Sequence, residues 1–349
     1  MDQTQNLTIY ATNICNLRCK HCFYHDSLNK PADELSLEQI DKLIKEANPL
    51  SVTFCGGEPM LRRTIVEACE VATKNNVKKI TIHTNGFFPE KTKESVRKIL
   101  ELGCTLNVDI SLDGLQNTHN KIRGRLSFER LSETIKLLKP IKEENKNLNL
   151  CVRTVITKDN YEELEKLADF IDDNLGIPHY FELIRGINTC GVPKPMMNDT
   201  YSPESPDLFL TEENMGKLKP ILAKIFGKRG KNPLEYARQA TQYNLFLQYM
   251  EILRKKKAPV VCSVGRKAII YPEGDVTLCE FMKPVGNVKE DTFEKLFHNK
   301  EADKQRAIAK NCYCTHGCFM GEMLMEKKLK PVSGRIISSA KLFSDYYLN

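Results

Sequence analysis

The stretch from Cys15 to Cys22 constrains this chain more than any other, because it reads Cys-Asn-Leu-Arg-Cys-Lys-His-Cys and puts three thiols into one short loop. Thiolates are the usual protein ligands of iron–sulfur clusters, and four of them normally saturate one cluster. Three leave one iron of a 4Fe-4S cubane free to take a small molecule that brings its own amine and carboxylate. Structural zinc is the competing reading, but it asks for four ligands, so His21 or a distant residue would have to complete the set.

The order of elements around that loop indicates the fold. Leu7 to Thr12 alternates as a strand that delivers the loop, and Ser36 to Ala47 reads as a helix with Ser36 as N-cap and Leu37, Ile40, Leu43 and Ile44 at helical spacing. Ser51 to Cys55 is the next strand, ending in Gly56-Gly57-Glu58-Pro59, with a helix from Leu61 to about Asn75. Strands at Lys79–Thr84, Thr105–Leu112, Leu150–Thr157 and His179–Ile184 then alternate with helices at Pro89–Leu102, Phe128–Asn145 and Tyr161–Asn174. Six such units predict a parallel sheet with helices outside, and ligand sites of such sheets lie at the C-terminal ends of the strands. The thiol loop, GGEP and Ser111-Leu112-Asp113-Gly114 all fall there. A glycine pair at a strand end lets a ligand approach bare backbone, and a following Glu offers an acceptor for an ammonium group.

In CxxxCxxC order after Thr12 and Asn13, Cys15, Cys19 and Cys22 resemble the cluster loop of the radical S-adenosylmethionine (radical SAM) superfamily. That resemblance implies a partial (βα)6 barrel, open on one side, over residues 5–187. It implies a 4Fe-4S cluster on the three thiols and S-adenosylmethionine (SAM) on the open iron. Reductive cleavage of SAM then yields a 5'-deoxyadenosyl radical that takes a substrate hydrogen. An external electron donor such as flavodoxin or ferredoxin follows from the same likeness. Gly56, Gly57 and Glu58 match the motif that binds the SAM amine. Ser111 matches a strand-end serine that contacts SAM, and Arg123 an arginine that can pair with its carboxylate, a role suited to a planar fork. Asn120 departs from the usual Asp after His119. His21 is read as a packing or stacking residue, Cys55 as strand core, and Arg153 as a further residue lining the pocket or a structural ion pair.

From residue 188 to 259 the character changes to a helical linker and substrate cover, with prolines at 193, 195, 203 and 206. Helices are expected at Thr211–Phe226 and Leu234–Lys257, separated by Gly227-Lys-Arg-Gly230. Tyr236, Tyr243, Phe246, Tyr249 and Met250 are read as helix core.

Residues 260–349 return to cysteine. Cys262 precedes a hairpin whose Gly274 lies five residues before Cys279, and Cys312, Cys314 and Cys318 follow. This resembles the SPASM/twitch auxiliary-cluster domain, a small β-hairpin and helix unit. It implies a second 4Fe-4S cluster on four of the five thiols, Cys262 and Cys279 being the firmest. A zinc knuckle stays open as the alternative. Cys69, Cys104, Cys151 and Cys190 are read as ordinary thiols.

Thirteen cysteines in a chain of 349 residues, grouped at its two ends with no secretory signal, argue for metal ligation over a disulfide scaffold. No apolar run approaches the ~20 residues of a membrane span, so a cytoplasmic protein with no membrane partner is expected. The net charge of +7 suits an anionic partner. Lys255, Lys256 and Lys257 lack interleaved aromatics and are read as a solvated helix end, which makes nucleic acid an unlikely partner. Because the first barrel strand lies close to residue 1, a small metabolite or sugar derivative is the expected substrate, undergoing a net oxidation with the auxiliary cluster as electron acceptor. Peptide modification is the alternative enzyme reading, and a non-catalytic iron–sulfur or zinc protein the alternative of another class.

Overall fold

The structure is a computed structural model that describes residues 4–186, 189–198, 206–329 and 331–347. Pro203 and the 187/188 boundary lie outside the described residues. The barrel half contains strands β1 (Asn6–Thr12), β2 (Ser51–Gly56), β3 (Lys79–Thr84), β4 (Thr105–Ser111), β5 (Leu148–Ile156) and β6 (His179–Leu183). Between them run helices α1 (Leu37–Ala47), α2 (Ile65–Lys74), α3 (Pro89–Glu101), α4 (Gln116–Arg123), α5 (Ser127–Glu144) and α6 (Leu164–Phe170). After α7 (Glu212–Arg229) and α8 (Pro233–Lys255) come β7 (Lys267–Ile270), β8 (Asp275–Thr277), β9 (Gly286–Asn287), α9 (Phe293–Phe297), α10 (Lys300–Ala309), α11 (Glu322–Leu324) and α12 (Val332–Tyr347).

The nine strands form one sheet in the order β6-β5-β4-β3-β2-β1-β7-β8-β9. β1 to β7 are parallel, and β8 and β9 run antiparallel to their neighbours. The C-terminal hairpin therefore continues the barrel sheet, with Asn6 opposite Lys267 and Ile9 opposite Ile270.

Local chemistry sets the ends of these elements. Ser36 caps α1 by accepting the Gln39 N–H, while the Gln39 side chain accepts the Ser36 N–H. Such a reciprocal cap is worth about 0.5–2 kcal/mol. Ile40, Leu43, Ile44 and Ala47 form the buried face behind it. Alternation on the strands sends Leu7 and Ile9, Val52 and Phe54, and Ile80 and Ile82 outward under the helices, all fully buried. Between them Thr8, Thr53, Thr81 and Asn107, in register with one another across β1 to β4, turn to the barrel interior and line its cavity.

Two helical expectations change. Residues 116–123 form α4, a helix that its mostly polar residues conceal. The break expected at 227–230 falls later and is shorter, at residues 230–232, because α7 runs to Arg229 and α8 starts at Pro233. Gly227 sits inside α7, where a Cβ would come within 2.4 Å of the Tyr346 ring on α12. Tyr243, Phe246 and Tyr249 of α8 are buried as expected. No described residue of α7 or α8 lines the barrel cavity.

Candidate active site and iron–sulfur centres

The thiol loop is bound back to the barrel on several sides. Asn29, in the left-handed region with φ 60°, donates Nδ2 to the Cys15 carbonyl (3.0 Å) and accepts the Cys15 N–H (2.9 Å). Asn13 Nδ2 donates to the Lys30 carbonyl at 2.6 Å, and the Lys20 N–H donates to the Ile122 carbonyl near the end of α4 at 3.0 Å. Cys15, Cys19 and Cys22 line a cavity of about 850 Å³ together with Gly56, Gly57, Glu58, Ser111 and Arg123. Every residue proposed for the N-terminal site from sequence thus borders one space, of a size usual for a small-molecule pocket.

Glycine at 56 and 57 has a specific cause. Gly57 N–H donates to the Thr12 carbonyl and Glu58 N–H to the Ile14 carbonyl, both at 2.8 Å, so the GGEP turn is hydrogen-bonded to the cluster loop. A Cβ on Gly57 would lie 2.3 Å from the Ile14 oxygen, and one on Gly56, at φ +113°, 2.6 Å from the Thr12 oxygen. On the Cβ side, the approach that the missing side chains permit is that of the cluster loop.

Glu58 is buried, and its carboxylate accepts from Met60 N–H (3.0 Å), Thr84 Oγ1 (2.7 Å) and Asn85 N–H (2.7 Å). Burial raises its pKa against those three donors. Of the roughly four lone-pair sites of a carboxylate, one stays open for an ammonium. Arg123 is buried with its Nε 2.5 Å from Asp113 Oδ2 and its Nη1 3.7 Å from Cys19 Sγ. Burial alone would lower the Arg123 pKa, but Asp113 and Cys19 outweigh it and keep the guanidinium charged. Burial pushes the thiols of Cys15 and Cys22 up to about 12, so cationic partners are needed to hold them as thiolates.

His21 lies 3.5 Å from Asp113, is held at about 4 by burial, and has a buried Nδ1 without a partner among the described residues. That orphaned nitrogen, three neighbouring thiols and the open site on Glu58 fit a thiolate-held cluster with SAM on its free iron. In such a complex Cys15, Cys19 and Cys22 would hold the iron, and Glu58 and Arg123 would face the amine and carboxylate.

The opposite wall carries a charged chain that sequence reasoning reached only at Arg153. Arg153 pairs with Asp109 (2.5 Å) and Glu182 (3.0 Å). Arg185 pairs with Glu280 (3.1 Å), which also meets His316 Nε2 (3.0 Å) and accepts from the Tyr10 hydroxyl (3.2 Å). Burial opposes ionisation of Glu280, but Arg185 and His316 prevail and hold it at about 2. All of these residues line the cavity. They come from β1, β4, β5, the β6 end and the C-terminal segment. Only the glycine and cysteine motifs beside them offered a signal. Cys55, expected in the strand core, is half-buried and also lines the cavity.

Of the five C-terminal thiols, four are buried and Cys318 is exposed. Cys262, Cys279, Cys312 and Cys314 are buried. Burial raises the Cys262, Cys279 and Cys314 thiols, and the charges of neighbouring thiols within the set raise them further. Cys190 adjoins Cys314, and Gly191 N–H donates to the Tyr313 carbonyl at 2.8 Å. Cys318 instead is exposed in the wall of the barrel cavity, beside His316, Glu182 and Arg185. Four buried thiols suit one 4Fe-4S cluster.

The family model of the radical SAM superfamily matches residues 9–171, and that of an iron–sulfur cluster-binding domain, SPASM, residues 262–319. The chain is 30% identical over 166 residues to Fe-coproporphyrin III synthase of Methanosarcina barkeri, covering 46% of this chain and 39% of that relative. It therefore spans well under half of that protein's length. It is 25% identical over 315 residues to a cysteine-type anaerobic sulfatase-maturating enzyme of Clostridium novyi, covering 83% of this chain and 78% of the relative. The fold is similar to that of Streptococcus suis SuiB bound to precursor peptide SuiA, with a TM-score of 0.61 at 19% identity over 88% of this chain and 67% of the other.

Proposed function

This chain belongs to the radical SAM superfamily and carries a C-terminal iron–sulfur cluster-binding domain, and from that premise we propose that it is a maturase that abstracts hydrogen from a residue of a peptide or protein. The expected small metabolite becomes the second reading. The observation that carries the choice is the likeness to a sulfatase-maturating enzyme along most of both chains, whereas the synthase match stops at part of each. SuiB, whose fold this chain shares, is itself seen with a precursor peptide.

The cluster and SAM supply the hydrogen-abstracting radical. This chain's residues position and shield it. Cys15, Cys19 and Cys22 hold iron, Gly56, Gly57 and Glu58 set the SAM amine against the loop, and Ser111 and Arg123 border its carboxylate. Cys262, Cys279, Cys312 and Cys314 hold an auxiliary cluster. A flavodoxin or ferredoxin provides the electron.

The test is anaerobic incubation of reconstituted enzyme with SAM, reductant and synthetic peptides that vary one central residue. Peptide-dependent release of 5'-deoxyadenosine is expected, with a peptide product lacking two hydrogens, one taken as a hydrogen atom by the 5'-deoxyadenosyl group and the other lost as a proton while its electron passes to the auxiliary cluster. Stimulation by sugar or nucleotide metabolites and by no peptide would give the reaction to the small-molecule reading. Cys19→Ala should release no 5'-deoxyadenosine under any of these conditions.

A further inference from the structure

We infer that His83 is the base of the oxidation, its Nε2 taking the proton that leaves the substrate once a hydrogen atom has been removed. The inference rests on the loss of two hydrogens that the peptide and small-molecule readings share, and not on the class of substrate.

One substrate C–H bond breaks when its hydrogen atom passes to the 5'-deoxyadenosyl group, which leaves a carbon radical. One electron then goes to the auxiliary cluster, and one proton leaves the atom bonded to that carbon, so that a double bond forms between the two. A group in the cavity has to accept the proton, which requires a lone pair that faces the substrate.

The carboxylates of the cavity wall are already engaged. Glu58 accepts three donors, Asp109 and Glu182 pair with Arg153, and Glu280 is shared by Arg185 and His316. Glu322 lies 2.7 Å from Lys267. His83 differs from all of these. It lies opposite Asp109 in the register of β3 and β4, and its side chain lines the cavity with 35% exposure. Nδ1 stands 3.4 Å from Asp109 Oδ2, whereas Nε2 has no hydrogen-bond partner among the described residues, so Nε2 is the nitrogen left for a substrate.

In the chain His83 directly precedes Thr84 and Asn85, which donate to Glu58 at 2.7 Å each. The imidazole therefore opens into the cavity beside the residues that would hold SAM, where hydrogen is removed. Four charged groups face it: Asp109, Arg153, Glu182 and Arg185. Burial lowers its pKa below the ordinary histidine value, with Arg153 and Arg185 acting in the same direction and Asp109 and Glu182 against it. The ring is thus neutral at neutral pH and able to accept a proton, and the imidazolium so formed faces the Asp109 carboxylate.

The experiment supplies the reconstituted holoenzyme with SAM, reductant and the same peptides and metabolites, and counts 5'-deoxyadenosine and the product lacking two hydrogens separately. In the wild type the two should form in equal amounts. In His83→Gln the product should fall about a hundredfold while 5'-deoxyadenosine is still released. In His83→Ala, added imidazole should restore the product, a response that a merely structural histidine would not give. Iron is counted in each variant. If both lose it, diethyl pyrocarbonate on the wild-type holoenzyme gives the same reading, since product should disappear in step with modification of His83 seen by mass spectrometry. Wild-type product from His83→Gln, or from enzyme fully modified at His83, overturns the proposal. So does a His83→Ala protein that keeps its iron and does not respond to imidazole. Product lost in Glu280→Gln but kept in His83→Gln would give the proton to Glu280. A wild type that releases 5'-deoxyadenosine with no product lacking two hydrogens fails the oxidation reading itself, and that result is seen before any variant is compared.

Discussion

At Asp113 a single buried carboxylate serves three partners. It holds Arg123, stands 3.5 Å from His21, and accepts the Val155 N–H at 2.9 Å. Burial opposes its charge, but Arg123 wins and its pKa falls below the ordinary carboxylate value. Asp113→Asn would keep a hydrogen-bond acceptor while stranding the Arg123 charge. Breaking a buried pair in this way costs about 3–5 kcal/mol, so urea unfolding of the apoprotein should show a loss of that order. The cysteines make a second prediction at the same scale. Cys318→Ala should retain the iron and sulfide of the wild type, because its thiol faces the barrel cavity, whereas Cys279→Ala should lose about four irons. A Cys318→Ala protein short of iron would return that thiol to the auxiliary set. The sequence left open which of Cys312, Cys314 and Cys318 join Cys262 and Cys279, and the resemblance matched the Cys314 and Cys318 pair. Only the path of the backbone through His316 and Gly317 turns the last of them away.

The cluster loop and the end of β2 act as one element, joined by the Gly57-to-Thr12 and Glu58-to-Ile14 hydrogen bonds. Gly57→Ala places a methyl group against the Ile14 carbonyl with no flexible side chain able to yield. Overpacking of this kind costs about 1–3 kcal/mol. The expected readout is a poorer yield of the N-terminal cluster on reconstitution, about four irons per chain in place of about eight, with the auxiliary cluster retained. Unchanged iron would show that the loop can shift without losing its metal. The strands and long helices were legible from sequence because alternation and helical spacing both report one buried face, as for β3 and α1. α4 was not, since Gln116 to Arg123 buries mainly His119, Ile122 and Arg123. Nor was the role of Gly227, which only its contact with Tyr346 explains.

Across the whole molecule, the chain of ion pairs from Asp109 through Arg153, Glu182, Arg185 and Glu280 to His316 ties the barrel strands to the C-terminal segment. Against the opposing effect of burial, its cations depress all three carboxyls, Glu280 to about 2. Depressed carboxyls contribute stability that is complete above their ordinary pKa of about 4 and is lost as pH falls through the folded values. Thermal unfolding of the apoprotein should therefore weaken between about pH 4.5 and pH 2. The drop should be smaller in Glu280→Gln, whose stability should already be lower at pH 7; an equal drop in both would remove Glu280 from this role.

No described helix is long and apolar enough to cross a membrane. The amino-acid sequence by itself determined the order of strands and helices, the N-terminal thiol loop and the glycine turn beside it, because each is written in neighbouring residues with a local physical meaning. Tertiary structure alone decided that β7 lies against β1, that Cys318 is exposed while Cys262, Cys279, Cys312 and Cys314 are buried, and that Tyr10, Asp109, Glu182, Arg185 and His316 share one wall. Those relations join positions up to about 300 residues apart in the chain, and they follow from the order in which the strands pair, for which no short stretch carries a pattern.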